Sequence, residues 1–144
     1  KGAGAAVKIT DLGLAKCLDS AGLGGLTLSR DIMGTPEYMA PDQIEDFKHA
    51  RPEFDVYSMA ATLYFLMTGE SIYEDAAQAR GTVERLKLVL EGTLRPLRSR
   101  DPHIPDAVCE VVDRALSREP GRRPTAAELL RVFQAADSGG SGPA

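Results

Sequence analysis

The chain has 144 residues, of which 43% are apolar and 26% charged, and its net charge is −4. This balance is typical of a globular domain, and the scattered basic residues argue against nucleic acid as a partner. The longest mostly apolar run, 59–67, is too short to cross a bilayer, and the two cysteines imply neither a disulfide framework nor a metal cluster. We therefore expect a cytoplasmic protein with no membrane segment in this chain.

The two ends of the sequence differ in character. The chain opens on Lys1 and enters a strand-like segment at once, which indicates a break upstream. It closes on the glycine- and serine-rich stretch 138–144, which has the composition of a flexible linker. We predict a folded part over 1–136 and a linker over 137–144. Further domains, or a membrane anchor, would lie elsewhere in the parent protein.

The first part of the chain is predicted to hold short strands and a long loop. Val7-Lys8-Ile9 alternates apolar and polar residues and leads into the turn Asp11-Leu12-Gly13. A second short strand fits 14–16. Residues 18–36 show weak periodicity and several glycines, which indicates a mobile loop of the kind that is usually functional.

From residue 40 onward the apolar spacing becomes helical. Helices are predicted over 41–46, 54–68, 76–90 and 106–117, followed by a last helix that begins at Thr125.

Two of these helices carry further predictions. The helix over 54–68 is apolar nearly all round, which predicts that it is buried at the centre of the domain, and it should end at Gly69. Its apolar residues are Val56, Met59, Ala60, Leu63, Leu66 and Met67. In the last helix, Thr125 and Glu128 form a predicted capping box, and the residues expected to be buried are Leu129, Leu130 and Phe133.

Two short motifs point to chemistry. Asp11 stands at the end of a strand, where Gly13 lets the backbone turn, and such a carboxylate is well placed to bind a hard cation. Alone, an Asp-X-Gly sequence is far more often a simple turn. The second motif, Gly34-Thr35-Pro36-Glu37-Tyr38-Met39-Ala40-Pro41-Asp42, follows across the predicted loop.

Four stretches, in the same order along the chain, resemble the protein kinases. They are 7–16, similar to the strand that leads into the magnesium motif; 34–42, similar to the end of the activation segment; 55–58, similar to the start of the buried central helix of the large lobe; and 119–125, similar to the element before the final helix. Leu12 within the magnesium motif and Gln43 after the Ala-Pro-Asp sequence resemble the bacterial serine/threonine kinases.

The resemblance implies a mainly α fold, the C-terminal lobe of the α+β protein kinase fold. Short N-terminal strands and a long activation loop would precede about five helices around a buried central helix. It also implies ATP-dependent phosphoryl transfer to serine or threonine of protein substrates, with Mg²⁺ and ATP as cofactors of the complete domain. Asp11 would coordinate the Mg²⁺ that bridges the nucleotide phosphates, and Gly13 would act as its hinge.

Further roles follow from the same resemblance. The residues that would hold the substrate beside the phosphoacceptor, here called the substrate platform, are Gly34, Thr35, Pro36 and Tyr38. Asp55 would brace the catalytic loop through backbone amides. Arg123 would form a buried pair with Asp42, where the family usually has Glu. The acid at position 42 is thus one methylene shorter, and an unpaired buried charge there would cost about 3–5 kcal/mol.

The predicted loop offers a regulatory switch. Thr27 and Ser29 lie where the resemblance implies activating phosphosites, modified by an activating kinase or by autophosphorylation in trans. A phosphate adds nearly two negative charges and can order such a loop through basic partners. The plainer interpretation is that both are solvated hydroxyls.

Much of the kinase machinery is missing from the sequence. Only ten residues precede Asp11, and no His-Arg-Asp sequence occurs, so no catalytic residue beyond the magnesium ligand is retained. We expect the parent protein to be a kinase and this chain alone to be inactive. The alternatives are a pseudokinase or scaffold module that binds protein partners, and a helical interaction domain with chance motifs.

Overall fold

The computed structural model describes residues 35–46 and 49–139, so the strands, turn and loop predicted over 7–34 lie outside the described residues. The described part is helical, which confirms the mainly α fold. Its five helices are α1 (Pro41–Glu45), α2 (Pro52–Thr68), α3 (Thr82–Glu91), α4 (Asp106–Ala115) and α5 (Ala126–Gly139). Three 3-10 turns span Pro36–Tyr38, Leu97–Ser99 and Pro120–Arg122.

The ends of α2 follow from its sequence. Pro52 occupies the first helical position, where a missing N–H is no loss. Gly69 ends the helix in the left-handed conformation, with φ of 71°, and its N–H donates to the carbonyl of Phe65 at 2.7 Å. Glycine adopts this conformation without steric cost, and the predicted end of the helix is therefore confirmed.

The other boundaries differ in part from the predicted ones. Helix α3 begins at Thr82 rather than 76, because the preceding Gly81 has φ of 89°, outside the helical range. Helix α4 ends at Ala115, two residues before the predicted end. Helix α5 continues to Gly139, so 137–139, in the predicted linker, are helical.

The capping box predicted before α5 is only half formed. The N–H of Glu128 donates to Thr125 Oγ1 at 3.2 Å, which satisfies one of the free amides at the start of the helix. The carboxylate of Glu128 pairs with Arg114 on α4 instead of turning back to the cap. The side chain that was expected to close the box thus ties α5 to its neighbour.

The core lies between α2 and α4, with α5 packed against α4. Tyr57, Ala60 and Tyr64 of α2 are fully buried, but Met59 and Leu66 are exposed. The predicted central position of α2 in the core is confirmed, although these two of its apolar residues lie on an exposed side. The helix contributes one side to the core, because successive residues are about 100° apart around its axis and the neighbouring elements pack on that side.

The last helix follows the same rule. Leu129 is buried and Phe133 is partly buried against the core, whereas Leu130 is exposed, contrary to prediction. Leu130 directly follows Leu129, so it projects about 100° away from the side that packs on α4.

Two polar side chains fix the connections around α3 and α4. Arg118 donates to the carbonyls of Val89 at 3.0 Å and Gly92 at 2.6 Å, which satisfies acceptors at the end of α3. Asp113 accepts a hydrogen bond from the N–H of Leu97 at 2.9 Å. Both contacts hold residues that are far apart in the sequence, so the position of α3 is set by the rest of the fold.

Candidate functional site

Prolines determine the path of the backbone from Thr35 to Glu45. Pro36 begins a 3-10 turn that the N–H of Met39 closes with a 2.8 Å hydrogen bond to the Pro36 carbonyl. Pro41 begins α1, and both prolines are buried. Ala40 between them is completely buried, so this segment is anchored in the core rather than lying loosely over it.

A buried ion pair joins this segment to the loop before α5. Arg123 Nη2 lies 2.5 Å from Asp42 Oδ1, and Arg123 Nη1 lies 3.4 Å from Asp42 Oδ2. The Arg123 side chain is 0% exposed and that of Asp42 is 17% exposed. The pair that the kinase resemblance implies is therefore formed, and the shorter acid reaches its partner. Its role in a working enzyme stays a prediction.

Arg123 also donates hydrogen bonds to two backbone carbonyls. Its Nη1 donates to the carbonyl of Glu53 at 3.2 Å, and its Nε donates to the carbonyl of Ser117 at 2.9 Å. The guanidinium lies 5.1 Å from the centre of the Tyr57 ring, within the range of a cation–π contact. One side chain thus connects α1, the start of α2 and the segment that follows α4.

Beneath this arginine lies a pair of buried tyrosines. The hydroxyl oxygens of Tyr57 and Tyr73 are 2.9 Å apart and share a hydrogen bond. Burial raises the pKa of both hydroxyls above the ordinary value of tyrosine, so both stay protonated at physiological pH. They therefore form an uncharged pair within the core.

A second ion pair connects the 3-10 turn to α3. Arg85 Nη1 lies 2.6 Å from Glu37 Oε1, and the Glu37 side chain is only 13% exposed. This pair was not among the residues singled out from the sequence. Glu37 is part of a recognised motif, but no spacing rule connects it to a residue 48 positions later.

The described members of the substrate platform differ in exposure. Thr35 is exposed, Pro36 is buried and Tyr38 is partly buried against the core. Beside them is a cavity of about 110 Å³. Its lining residues are Glu37, Tyr38, Ala61, Phe65, Ser71 and Ile72.

The remaining predicted residues are not tested by the structure. Asp55 is exposed in the first turn of α2, and its side chain has no hydrogen bond or ion pair within 35–46 and 49–139. Asp11, Gly13, Thr27, Ser29 and Gly34 lie outside the described residues. Their assigned roles therefore stay predictions.

The described residues contain no group of three His, Cys, Asp or Glu side chains that would hold a metal ion. In the same part of the chain, none of the helices has the length and apolar character needed to span a bilayer.

Comparison with known proteins identifies the family. Residues 1–133 match the family model described as protein kinase domain. The chain belongs to the protein kinase domain family.

Its relatives include serine/threonine-protein kinases of bacteria. The chain is 38% identical over 135 residues to the serine/threonine-protein kinase pkn3 of Myxococcus xanthus, covering 91% of this chain and 24% of that protein. It is 31% identical to the serine/threonine-protein kinase PkaA of Streptomyces coelicolor, covering 91% of this chain and 22% of that protein. The serine/threonine-protein kinase PknK of Mycobacterium tuberculosis is 33% identical, over 85% of this chain and 10% of its own length. The resemblance to bacterial serine/threonine kinases is confirmed, and the chain spans a quarter or less of the length of these relatives.

Proposed function

We propose that this chain is part of the catalytic domain of a serine/threonine protein kinase. The complete protein would transfer the γ-phosphoryl group of ATP to a serine or threonine of a protein substrate, with Mg²⁺ neutralising the developing charge. The observation that carries the proposal is the buried pair of Arg123 and Asp42, at 2.5 Å. It fixes the segment that begins at Thr35 against the helical core, as a substrate platform requires.

The residues divide into four groups by role. Asp11 would bind Mg²⁺, with Gly13 as its hinge, and phosphorylation of Thr27 or Ser29 would regulate the loop. Thr35, Pro36 and Tyr38 would position the polypeptide substrate. Asp55 would hold backbone amides of a catalytic loop that this sequence does not contain. We further propose that the protein acts in the cytoplasm.

The isolated chain is expected to be inactive. Phosphoryl transfer needs a loop over the phosphates, a lysine that contacts them and a carboxylate that accepts the hydroxyl proton. These residues precede the magnesium motif in kinases, and only ten residues precede Asp11 here.

The test compares the 144-residue chain with the protein translated from the complete reading frame. Each is incubated with Mg²⁺, radiolabelled ATP and a mixture of protein substrates, and incorporated phosphate is measured. We expect transfer by the complete protein and none by the 144-residue chain. The variant Asp11→Asn should abolish transfer by the complete protein, whereas Asp137→Asn, which removes an exposed carboxylate of α5, should not.

The outcome also separates the enzyme from a scaffold. A complete protein that folds but transfers no phosphate under any of these conditions would overturn the enzymatic proposal and favour a binding module. Transfer that persists in Asp11→Asn would overturn the magnesium role of Asp11.

A further inference from the structure

The pair of Glu37 and Arg85 lies beside the surface that the proposed function assigns to the substrate. Glu37 is in the 3-10 turn Pro36–Tyr38, between two residues of the substrate platform. Arg85 lies on α3, and its Nη1 approaches Glu37 Oε1 at 2.6 Å. The Glu37 side chain is 13% exposed and that of Arg85 is 38% exposed, so the carboxylate is the more deeply buried partner.

Burial makes the charge of Glu37 dependent on a partner. An ionised carboxylate that is mostly removed from water needs an opposite charge or hydrogen bonds to compensate for lost hydration. Arg85 supplies the one ion pair that Glu37 makes within the described residues. If Arg85 were absent, Glu37 would attract another cation.

An unpaired Glu37 carboxylate would attract a cation into the cavity of about 110 Å³ that it lines. Glu37 is the only carboxylate among its lining residues, and the others include Ala61, Phe65 and Ile72. A cavity of about 150 Å³ in a protein core accommodates benzene, so this one has room for an aliphatic side chain. With Glu37 paired, the lining carries no net charge, and apart from Ser71 and Tyr38 its other side chains are apolar.

We propose that Arg85 is a specificity-determining residue. Because it pairs with Glu37, it neutralises the carboxylate that lines the cavity. The cavity then selects an uncharged, aliphatic side chain of the substrate and disfavours lysine or arginine. This inference rests on the proposed function. Arg85 is a positioning residue that acts through Glu37, not a group that reacts with the substrate. Its helix is held in place by Arg118, which donates to the carbonyls at the end of α3.

The test uses the complete protein and a peptide library in which each position near the acceptor serine is varied in turn. For the wild type, we expect aliphatic residues to be preferred over arginine at one position. In Arg85→Ala, the ratio of kcat/KM for arginine to that for valine at this position should rise about tenfold, because Glu37 is then free to pair with the substrate. The reverse variant, Glu37→Gln, leaves Arg85 without its partner and should raise the preference for aspartate and glutamate at the same position.

Two controls separate this role from general damage. The double variant Glu37→Gln Arg85→Ala should lose the gain for arginine, since the carboxylate that attracts it is gone. Arg131→Ala removes an exposed arginine of α5 that makes no ion pair within the described residues, and it should leave every preference unchanged. Thermal unfolding of each variant shows whether it is folded, and if Arg85→Ala does not fold, Glu37→Gln tests the same pair from the other side.

Different results would contradict the role of Arg85 and the proposed kinase activity. Transfer by the wild type with preferences that neither Arg85→Ala nor Glu37→Gln changes would overturn the inference and leave the kinase assignment standing. The same holds if the gain for arginine persists in the double variant. Absence of any transfer by the wild type would overturn the proposed function and this inference with it.

Discussion

Removing one side of the buried pair of Arg123 and Asp42 is predicted to lower the stability of the fold by a large amount. Arg123→Ala removes a guanidinium whose side chain is 0% exposed and leaves Asp42, which is 17% exposed, without its ion-pair partner. It also removes the hydrogen bonds that Arg123 donates to the carbonyls of Glu53 and Ser117. Removing one side of a buried ion pair costs about 3–5 kcal/mol, and we expect the free energy of unfolding to fall by that amount.

The assay is urea unfolding of the 144-residue chain, followed by circular dichroism of the helices. With a slope of about 2 kcal/mol per molar urea, a loss of about 4 kcal/mol lowers the midpoint by about 2 M. The matched control is Arg122→Ala. Arg122 is the adjacent arginine and pairs with Glu119, but both side chains are exposed, so its removal should cost at most about 1 kcal/mol.

A further variant distinguishes two causes of the lost stability, the unpaired charge and the lost packing. Asp42→Leu Arg123→Met removes both charges and keeps apolar volume, so it should lose less stability than Arg123→Ala. If Arg123→Ala costs no more than Arg122→Ala, the reasoning about an uncompensated buried charge is refuted. If the double variant is as unstable as Arg123→Ala, the other contacts of Arg123, with the Tyr57 ring and the carbonyls of Glu53 and Ser117, carry the stability instead.

Two further predictions concern buried polar groups. Tyr57→Phe leaves the Tyr73 hydroxyl without its partner and should cost about 1–3 kcal/mol in thermal unfolding, and adding Tyr73→Phe should recover part of that loss; no recovery would contradict the shared hydrogen bond. For Asp113, burial raises the pKa above the ordinary value despite the hydrogen bond from Leu97, so the folded state binds the proton more tightly than the unfolded state. The resulting stability is fully present below the unfolded pKa, near pH 4, and is lost as pH rises through the higher folded pKa. Asp113→Asn should remove this pH dependence, and identical pH profiles of unfolding free energy for the two proteins would show that the pKa of Asp113 does not change on folding.

Local features of the fold could be predicted from the sequence. The end of α2 at Gly69 and the cap of α5 at Thr125 depend on the conformation or side chain of a single residue, and such signals are short in range. The family could be recognised because four motifs occur in a fixed order. The acid at position 42 could be paired with Arg123 for the same reason, although no local rule connects the two.

Features that depend on packing could not be predicted in this way. Leu130 and Met59 have the same apolar character as buried neighbours, and only the position of the surrounding helices shows that they face away from the core. The partner of Glu37 lies 48 positions further along the chain, on α3. The start of α3 differs from the predicted start because apolar periodicity does not show the backbone angle of Gly81. Apart from the pair of Asp42 and Arg123, which the family resemblance implies, sequence patterns thus predict the elements but not the contacts between them.

The 81-residue separation of Asp42 and Arg123 has a consequence for the order of events during synthesis. A ribosome adds about 5–20 residues per second, so roughly 4–16 s pass between incorporation of the aspartate and of its arginine. Through that interval the acid has no partner and the segment that begins at Thr35 has no anchor from the far end of the chain. Closing so long a loop carries an entropic cost that nearby helical contacts do not, and we expect this segment to reach its final conformation among the last parts of the nascent polypeptide.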